Sequence, residues 1–445
     1  MSHKILRSKF VWAAMATAAL AATNFIFSFY LFKAHGDQLS AEWIYYISVS
    51  VWCNLGAFGG PFLILKELPN LVPSYKNELL IKFLSCIILC YFLGFVFLYF
   101  IFKFNFVYGY SGKFNFIFLL LGCGFHLTNT CIQISNACQD TLDRTINRSI
   151  SLVGFILVLF ILLFSTEFSF VYDILVFIIL LLIYATLQIV SYIQMSFASG
   201  GKLKYRGFSS YLLEGSKIQL VTLVSFLFEP FLKLSFANTI NSIELVTFDL
   251  LTKFSNGLRQ ILNGALRLLI AENAIQKTKN EYIYQSYCIT LLIGNFVTIM
   301  LGFLAFKNFV LIFGVEIYIN KLQMIMLATT ASVSTMSIYM LNISTSYYMK
   351  NILSVLITSI AALILIYLLS ESVANLYLIF CLALCLGSIG LSIGMKTTMY
   401  LYLFPQIIII AQILLIYYEA GIAPLILGAL LIALNFKWKK NVNFS

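Results

Sequence analysis

Six polar residues share one face of a single apolar stretch. Asp249, Lys253, Asn256, Gln260, Asn263 and Arg267 follow at intervals of four, three, four, three and four, and Arg259 flanks them. On an α-helix that spacing makes one continuous stripe. In hydrocarbon such a stripe has to face water or other polar groups. Asp249 and Lys253 are also i,i+4 partners, and so are Glu229 and Lys233 just upstream, around Pro230. The proline removes a backbone N–H and favours a kink. A third stripe joins His126, Asn129, Gln133, Asn136 and Asp140. Thr17, Asn24 and Ser28 share a face, and so do Thr330, Ser334, Ser337 and Ser344.

Within these apolar stretches Lys233, Lys253, Arg259 and Arg267 outnumber Glu229 and Asp249 by two. A wet, cationic cavity favours an anionic ligand. Guanidinium groups grip phosphate bidentately, whereas lysine acts as a point charge. Each feature also has a plainer reading. Glu229/Lys233 and Asp249/Lys253 also read as neutral intrahelical pairs that only lock one helix against the next. The hydroxyl face of Thr330 to Ser344 suits helix packing. His126 reads as a hydrogen-bonded structural residue or as a proton carrier, and Arg267 as a side chain that snorkels to the surface.

The elements that carry these residues follow from composition. Of 445 residues 61% are hydrophobic and 10% charged, and the mean hydropathy is +0.95. A soluble domain carries about 25% charged residues, so lipid has to be the solvent for most of this surface. The sequence predicts an all-α integral membrane protein of fourteen spans: 10–32, 43–65, 83–102, 114–137, 149–166, 174–197, 218–240, 245–270, 286–306, 322–345, 351–370, 375–395, 400–418 and 422–436. Nineteen of the 28 Lys and Arg then fall on the side of the N-terminus, five on the other side and four within spans. That bias puts both termini in the cytoplasm. The longest loops, 66–82, 198–217 and 271–285, are cytoplasmic in this reading.

The net charge of +11 sits in short loops, so no nucleic-acid partner is expected. Lys4, Arg7 and Lys9 precede an apolar run and Ala19-Leu20-Ala21 has the small residues of a cleavage site, but the run continues to Phe32 and reads as the first span. Cys86/Cys90 and Cys381/Cys385 are four apart, yet no histidine or second pair accompanies them, so packing explains them better than metal. No metal or catalytic residue is expected. A G-x-x-x-x-G-K-[ST] motif is absent, so ATP is not the expected fuel. No cofactor is expected; an H+ or Na+ gradient is the candidate driving force, with Glu229, Asp249 and His126 as coupling candidates.

Three segments carry a family resemblance. A basic opening, Ser8-Lys9-Phe10, leads into a small-residue first span that reaches Asn24. The second span ends in Gly59-Gly60-Pro61 and then Lys66, and the eighth ends similarly in Gly264 and Arg267. Between spans 9 and 10 lies Val310-Leu311-Ile312-Phe313-Gly314-Val315-Glu316-Ile317-Tyr318, before the hydroxyl-rich helix. Over residues 1–395 the chain resembles the O-antigen flippase (Wzx) type, the polysaccharide-export branch of the multidrug/oligosaccharidyl-lipid/polysaccharide flippase superfamily. Many members have twelve spans; here two more follow.

The resemblance implies two six-helix lobes, 1–197 and 218–395, joined by a cytoplasmic linker, 198–217, with 396–445 supplying two further helices and a basic tail. It implies a bacterial inner-membrane protein that carries a polyprenyl-pyrophosphate-linked oligosaccharide to the outer face by alternating access. The pyrophosphate would meet Arg259, Lys253 and Lys233, the sugar hydroxyls Asn256, Gln260, Asn263 and Asn129, and Arg267, Gln133 and Asn24 would line the same cavity. Partners would be that glycan, the bilayer, and polymerase and chain-length proteins of the same pathway. Two other functions compete. A multidrug exporter of the superfamily would use carboxylates for cationic drugs, whereas this interior is net basic. A polymerase or ligase enzyme would carry a large outer loop, and the outer loops here are short.

Overall fold

The structure is a computed structural model. It describes residues 3–253 apart from 105–106, 108, 143, 166–168, 197–206 and 238–240, then 309–312, 315–318 and isolated helical positions between 357 and 430. Contacts divide the chain into two units, Met1–Lys253 with Asn263–Thr278 and Phe254–Leu262 with Lys279–Ser445.

The first unit is a helical bundle: α1 (His3–His35), α2 (Asp37–Ser50), α3 (Gly60–Glu67), α4 (Pro73–Lys103), α5 (Phe116–Thr141), α6 (Thr145–Ser165), α7 (Phe170–Ser196) and α8 (Phe208–Phe236). A helical stretch at 242–253 follows. The ends carry ordinary start and stop signals. α4 opens on Pro73, whose missing N–H costs nothing in a first turn. Asn115 caps α5 by accepting from the Phe118 N–H at 3.2 Å. Lys33 closes α1 and Lys103 closes α4, cations placed at the negative end of each helix. At 31 residues, α4 is about 46 Å long, more than a hydrocarbon core requires.

Six helices among the described residues are long and apolar enough to cross a membrane. Their outward faces are greasy. On α4, Ile81, Ile88, Phe92 and Phe97 are exposed, and on α6 Ile150, Leu157, Ile161 and Phe164. Asp140, Arg148, Asp173, Lys233 and Asp249 are buried instead. This inverted pattern identifies a multi-pass membrane protein, since water would not tolerate so large an apolar surface.

Side-chain bonds show how the helices alternate. Arg148 at the start of α6 binds Asp140 at the end of α5 at 2.9 Å, with both side chains 3% exposed. Lys66 at the end of α3 meets Glu214 near the start of α8 at 2.7 Å. Ser196 at the end of α7 bonds Asn77 in the first turns of α4 at 2.8 Å. These contacts mark the proximal end, where α1 starts. At the distal end, His35 closing α1 lies 2.7 Å from Asp173 opening α7, and Asp37 opening α2 bonds Ser242. α5 sits centrally, touching α2, α3, α4, α6 and α7.

Two expected boundaries move. The 66–82 loop is mostly helix, because α4 starts at Pro73. Likewise α8 starts at Phe208, so 208–217 is helical rather than loop. In both places polar and basic residues fill first helical turns that a hydropathy window discounts.

The second span is broken. α2 tightens into a 3-10 segment, Val51–Ala57, and α3 begins at Gly60. Phe58 (φ 46°) and Gly59 (φ 57°) between them are left-handed. In the second unit, strands β1 (Phe309–Ile312) and β2 (Val315–Tyr318) pair antiparallel. The Val310–Tyr318 stretch is therefore a hairpin, with only Phe313 and Gly314 between its strands.

Candidate functional site

The charged residues of α8 and 242–253 converge. Lys233 donates to Glu229 Oε1 at 2.5 Å, one turn back on its own helix. It also reaches across to Asp249 Oδ1 at 2.7 Å. Asp249 Oδ2 pairs with Lys253 at 2.6 Å, and Lys253 donates to Ser28 Oγ on α1 at 2.6 Å. The chain Glu229–Lys233–Asp249–Lys253–Ser28 therefore ties three helical elements together. Both predicted i,i+4 pairs form. The crosslink between Lys233 and Asp249 was not foreseen, because nothing in the sequence aligns the two helices.

Burial differs along this chain. The Asp249 side chain is 1% exposed and Lys233 6%, whereas Glu229 is 19% and Lys253 21%. Two charges of each sign make the group neutral. Lys233, enclosed between two carboxylates, locks Asp249 in place; Lys253 is the cation with more room. Arg259, Arg267, Asn256, Gln260 and Asn263 lie outside the described residues.

A second cluster surrounds the break in span 2 and contains no formal charge. His126 on α5 contacts the Ile47 carbonyl through Nε2 at 2.8 Å. Its Nδ1 lies 3.5 Å from Asn54 Nδ2. One ring nitrogen that donates and one that accepts suit a neutral imidazole. Tyr91 on α4 bonds Asn54 Oδ1 and, at 2.7 Å, Thr130 Oγ1 on α5. Gln219 on α8 closes the break. Its Oε1 accepts from the Gly59 N–H at 2.7 Å, and its Nε2 donates to the Asn54 carbonyl at 2.7 Å. Buried backbone groups freed by a helix break need such partners. α8 comes this close because of glycine: a Cβ on Gly215 would lie 2.3 Å from the Phe58 carbonyl oxygen.

The predicted stripe on α5 is thus divided. His126 serves the break, and Asp140 holds Arg148 while Thr145 donates to its other oxygen at 3.0 Å. Arg148 also donates to the Asn136 carbonyl at 3.2 Å. Asn129 and Gln133 lie between these ends, half-buried. On α1, Ser28 joins the charged chain and Thr17 bonds the Ala13 carbonyl at 2.9 Å. Asn24 is half-buried, and its Oδ1 is buried without a hydrogen-bond partner among the described residues. Gln219 and Asn54 were missed. A lone amide beside Gly59-Gly60-Pro61 was the available signal, and it does not identify the break without the fold.

Six cysteines among the described residues are free thiols, and no group of metal-ligating side chains occurs among the described residues.

No protein-family model matches the sequence, and no curated protein does. Solved structures do match. A mutant of the Vibrio cholerae MATE transporter VcmN aligns with TM-score 0.63 at 11% identity, over 89% of this chain and 96% of that one. The MATE multidrug transporter DinF-BH aligns at 0.58 and 14%, over 91% and 97%. The lipid II flippase MurJ, in an inward closed conformation, aligns at 0.56 and 14%, over 96% and 98%. The chain has the fold that these transporters and this flippase share.

Proposed function

We propose that this protein is a flippase of the Wzx type, which moves a polyprenyl-pyrophosphate-linked oligosaccharide from the cytoplasmic to the outer face of a bacterial inner membrane. The cargo needs a membrane-buried path that accepts an anionic head group and lets a lipid tail remain in hydrocarbon. A two-unit chain with the MATE and MurJ fold supports transport by alternating access. No catalytic step is part of this reading.

The pairing of the buried carboxylates carries the choice of cargo. Asp249 and Glu229 are held by Lys233 and Lys253, Asp140 by Arg148, and Asp173 by His35. Asp249, Glu229 and Asp140 are already matched by cations of the protein itself and Asp173 by a histidine, which disfavours them as seats for a cationic drug. The basic side chains that continue the 249–267 stripe favour an anion. Arg259, with Lys253 and Arg267, is proposed to meet the pyrophosphate, and Asn256, Gln260, Asn263, Asn129, Gln133 and Asn24 the sugar. Lys233 orients Asp249. Asp249 and Glu229 remain the candidates for coupling to H+ or Na+. His126 is assigned to the structure of the break.

Deletion of the gene tests this. Surface glycan should disappear, and completed lipid-linked units should accumulate on the cytoplasmic face. Normal glycan with raised drug sensitivity would establish the exporter instead, and single units reaching the outer face without polymer would establish a polymerase.

A further inference from the structure

A cavity of about 580 Å³ opens at the distal end of the first unit. It lies among the start of α2, the 110–112 turn and Ala237, Asn241 and Ser242. Its polar lining includes Asp37, Gln38, Tyr110, Ser111, Asn241 and Ser242. The volume falls within the range of about 300–1,000 Å³ typical of small-molecule sites.

The lining is ordered from within. Ser242 donates to Asp37 Oδ2 and so joins two walls. Asn241 Oδ1 accepts from the Glu244 N–H at 2.9 Å, which fixes its side chain as a helix cap. The Gly112 N–H bonds the Gly109 carbonyl at 2.9 Å and the Lys113 N–H the Tyr110 carbonyl at 3.1 Å. That turn is tight enough to hold Ser111 at φ 51°, a conformation uncommon for residues other than glycine. Tyr110 is half-buried, with its ring centroid 6.0 Å from that of Tyr45. Burial and the nearby Asp37 and Glu42 carboxylates push its hydroxyl pKa up, so the group stays a protonated donor.

The chemical inventory is specific. The Asp37 carboxylate accepts, the Gln38 amide donates and accepts, the Asn241 amide keeps its N–H donors, the Tyr110 and Ser111 hydroxyls do both, and one aromatic ring offers an apolar face with a polar edge. A sugar presents the complementary surface, with hydroxyls that need both kinds of partner around a ring whose C–H faces are apolar. A lipid tail would find few apolar contacts here. A phosphate would meet the Asp37 carboxylate.

We infer that this cavity is a saccharide-binding vestibule, which receives the sugar part of the cargo at the distal end of the transport path. The inference deepens the flippase reading, which puts the distal end outside, but sugar binding is testable without that reading. A benzophenone amino acid placed at Ser111 of the full-length protein in cells captures whatever occupies the cavity. Irradiation should give a species that shifts on gels and stains for periodate-oxidised carbohydrate. The same probe at exposed Phe104, outside the cavity, should give none.

Asp37→Asn and Tyr110→Ala should each lower the adduct at Ser111 about ten-fold, the effect of losing one strong polar contact. An adduct that carries lipid without sugar, or no adduct at Ser111, would overturn the inference even where deletion strands lipid-linked units. A carbohydrate adduct in a strain whose deletion leaves glycan normal would keep the vestibule and reject the flippase. Mass analysis of the adduct separates free sugar from a lipid-linked head group.

Discussion

Glu229, Lys233, Asp249 and Lys253 hold their helices together with charges, whereas Asn54, Tyr91, His126 and Gln219 hold four elements together with none. The charged chain is stiff in a particular sense. The Lys233–Asp249 and Lys253–Ser28 bonds form only while α1, α8 and 242–253 keep their positions, whereas Glu229–Lys233 and Asp249–Lys253 each stay closed within one helix. The neutral network tolerates small adjustments, and its role is to stabilise an irregular backbone. One region is suited to switching between discrete arrangements. The other is suited to keeping span 2 broken in every arrangement.

Lys233→Met attacks the charged side of this contrast most severely. It leaves Glu229 and Asp249 facing each other, and the thermal stability of the purified protein should fall by about 3–5 kcal/mol. Adding Glu229→Gln and Asp249→Asn to the same chain should restore part of the loss, because both stranded carboxylates lose their charge while the partly exposed Lys253 keeps its bond to Ser28. A triple variant as unstable as the single one would show that the charges are not what Lys233 serves.

Gln219→Leu is the corresponding attack on the neutral side. It strands the Gly59 N–H and the Asn54 carbonyl, at about 1–3 kcal/mol for each buried group. Trypsin cleavage near span 2 should report the loosened break. Unaltered stability would mean that other groups satisfy both atoms.

His126→Phe removes a single donor to the Ile47 carbonyl, so a loss of about 1–2 kcal/mol is expected. Transport by that variant should keep the pH profile of the native protein. A profile that flattens would move His126 from the neutral group to the coupling machinery. The smallest effect belongs to Ser28→Ala, about 1 kcal/mol or less in stability, since Lys253 keeps Asp249.

The sequence made the charged region partly legible. Charges in hydrocarbon are rare enough to be conspicuous, and i,i+4 spacing places them within one helix without any knowledge of the fold. It did not reveal the Lys233–Asp249 bond, because helix order does not determine the rotation of one helix against another. The neutral region was barely legible. Asn54 and Gln219 are unremarkable among apolar neighbours, and their importance depends on a left-handed step at Phe58 and Gly59 that hydropathy does not register. The α5 stripe shows both limits. Its residues share a face, as the spacing required, but His126 and Asp140 serve the protein's own backbone and ion pairs.

The central claim is movement of a lipid-linked glycan, and reconstitution tests it most directly. The purified protein would be placed in liposomes carrying a polyprenyl-pyrophosphate-linked oligosaccharide, with a membrane-impermeant glycosidase outside. The account predicts that the enclosed half of the glycan becomes cleavable when the protein is present, and that Arg259→Ala abolishes this while the protein still inserts. A glycan pool that stays half protected, in liposomes where the same protein expels a cationic dye, would contradict it.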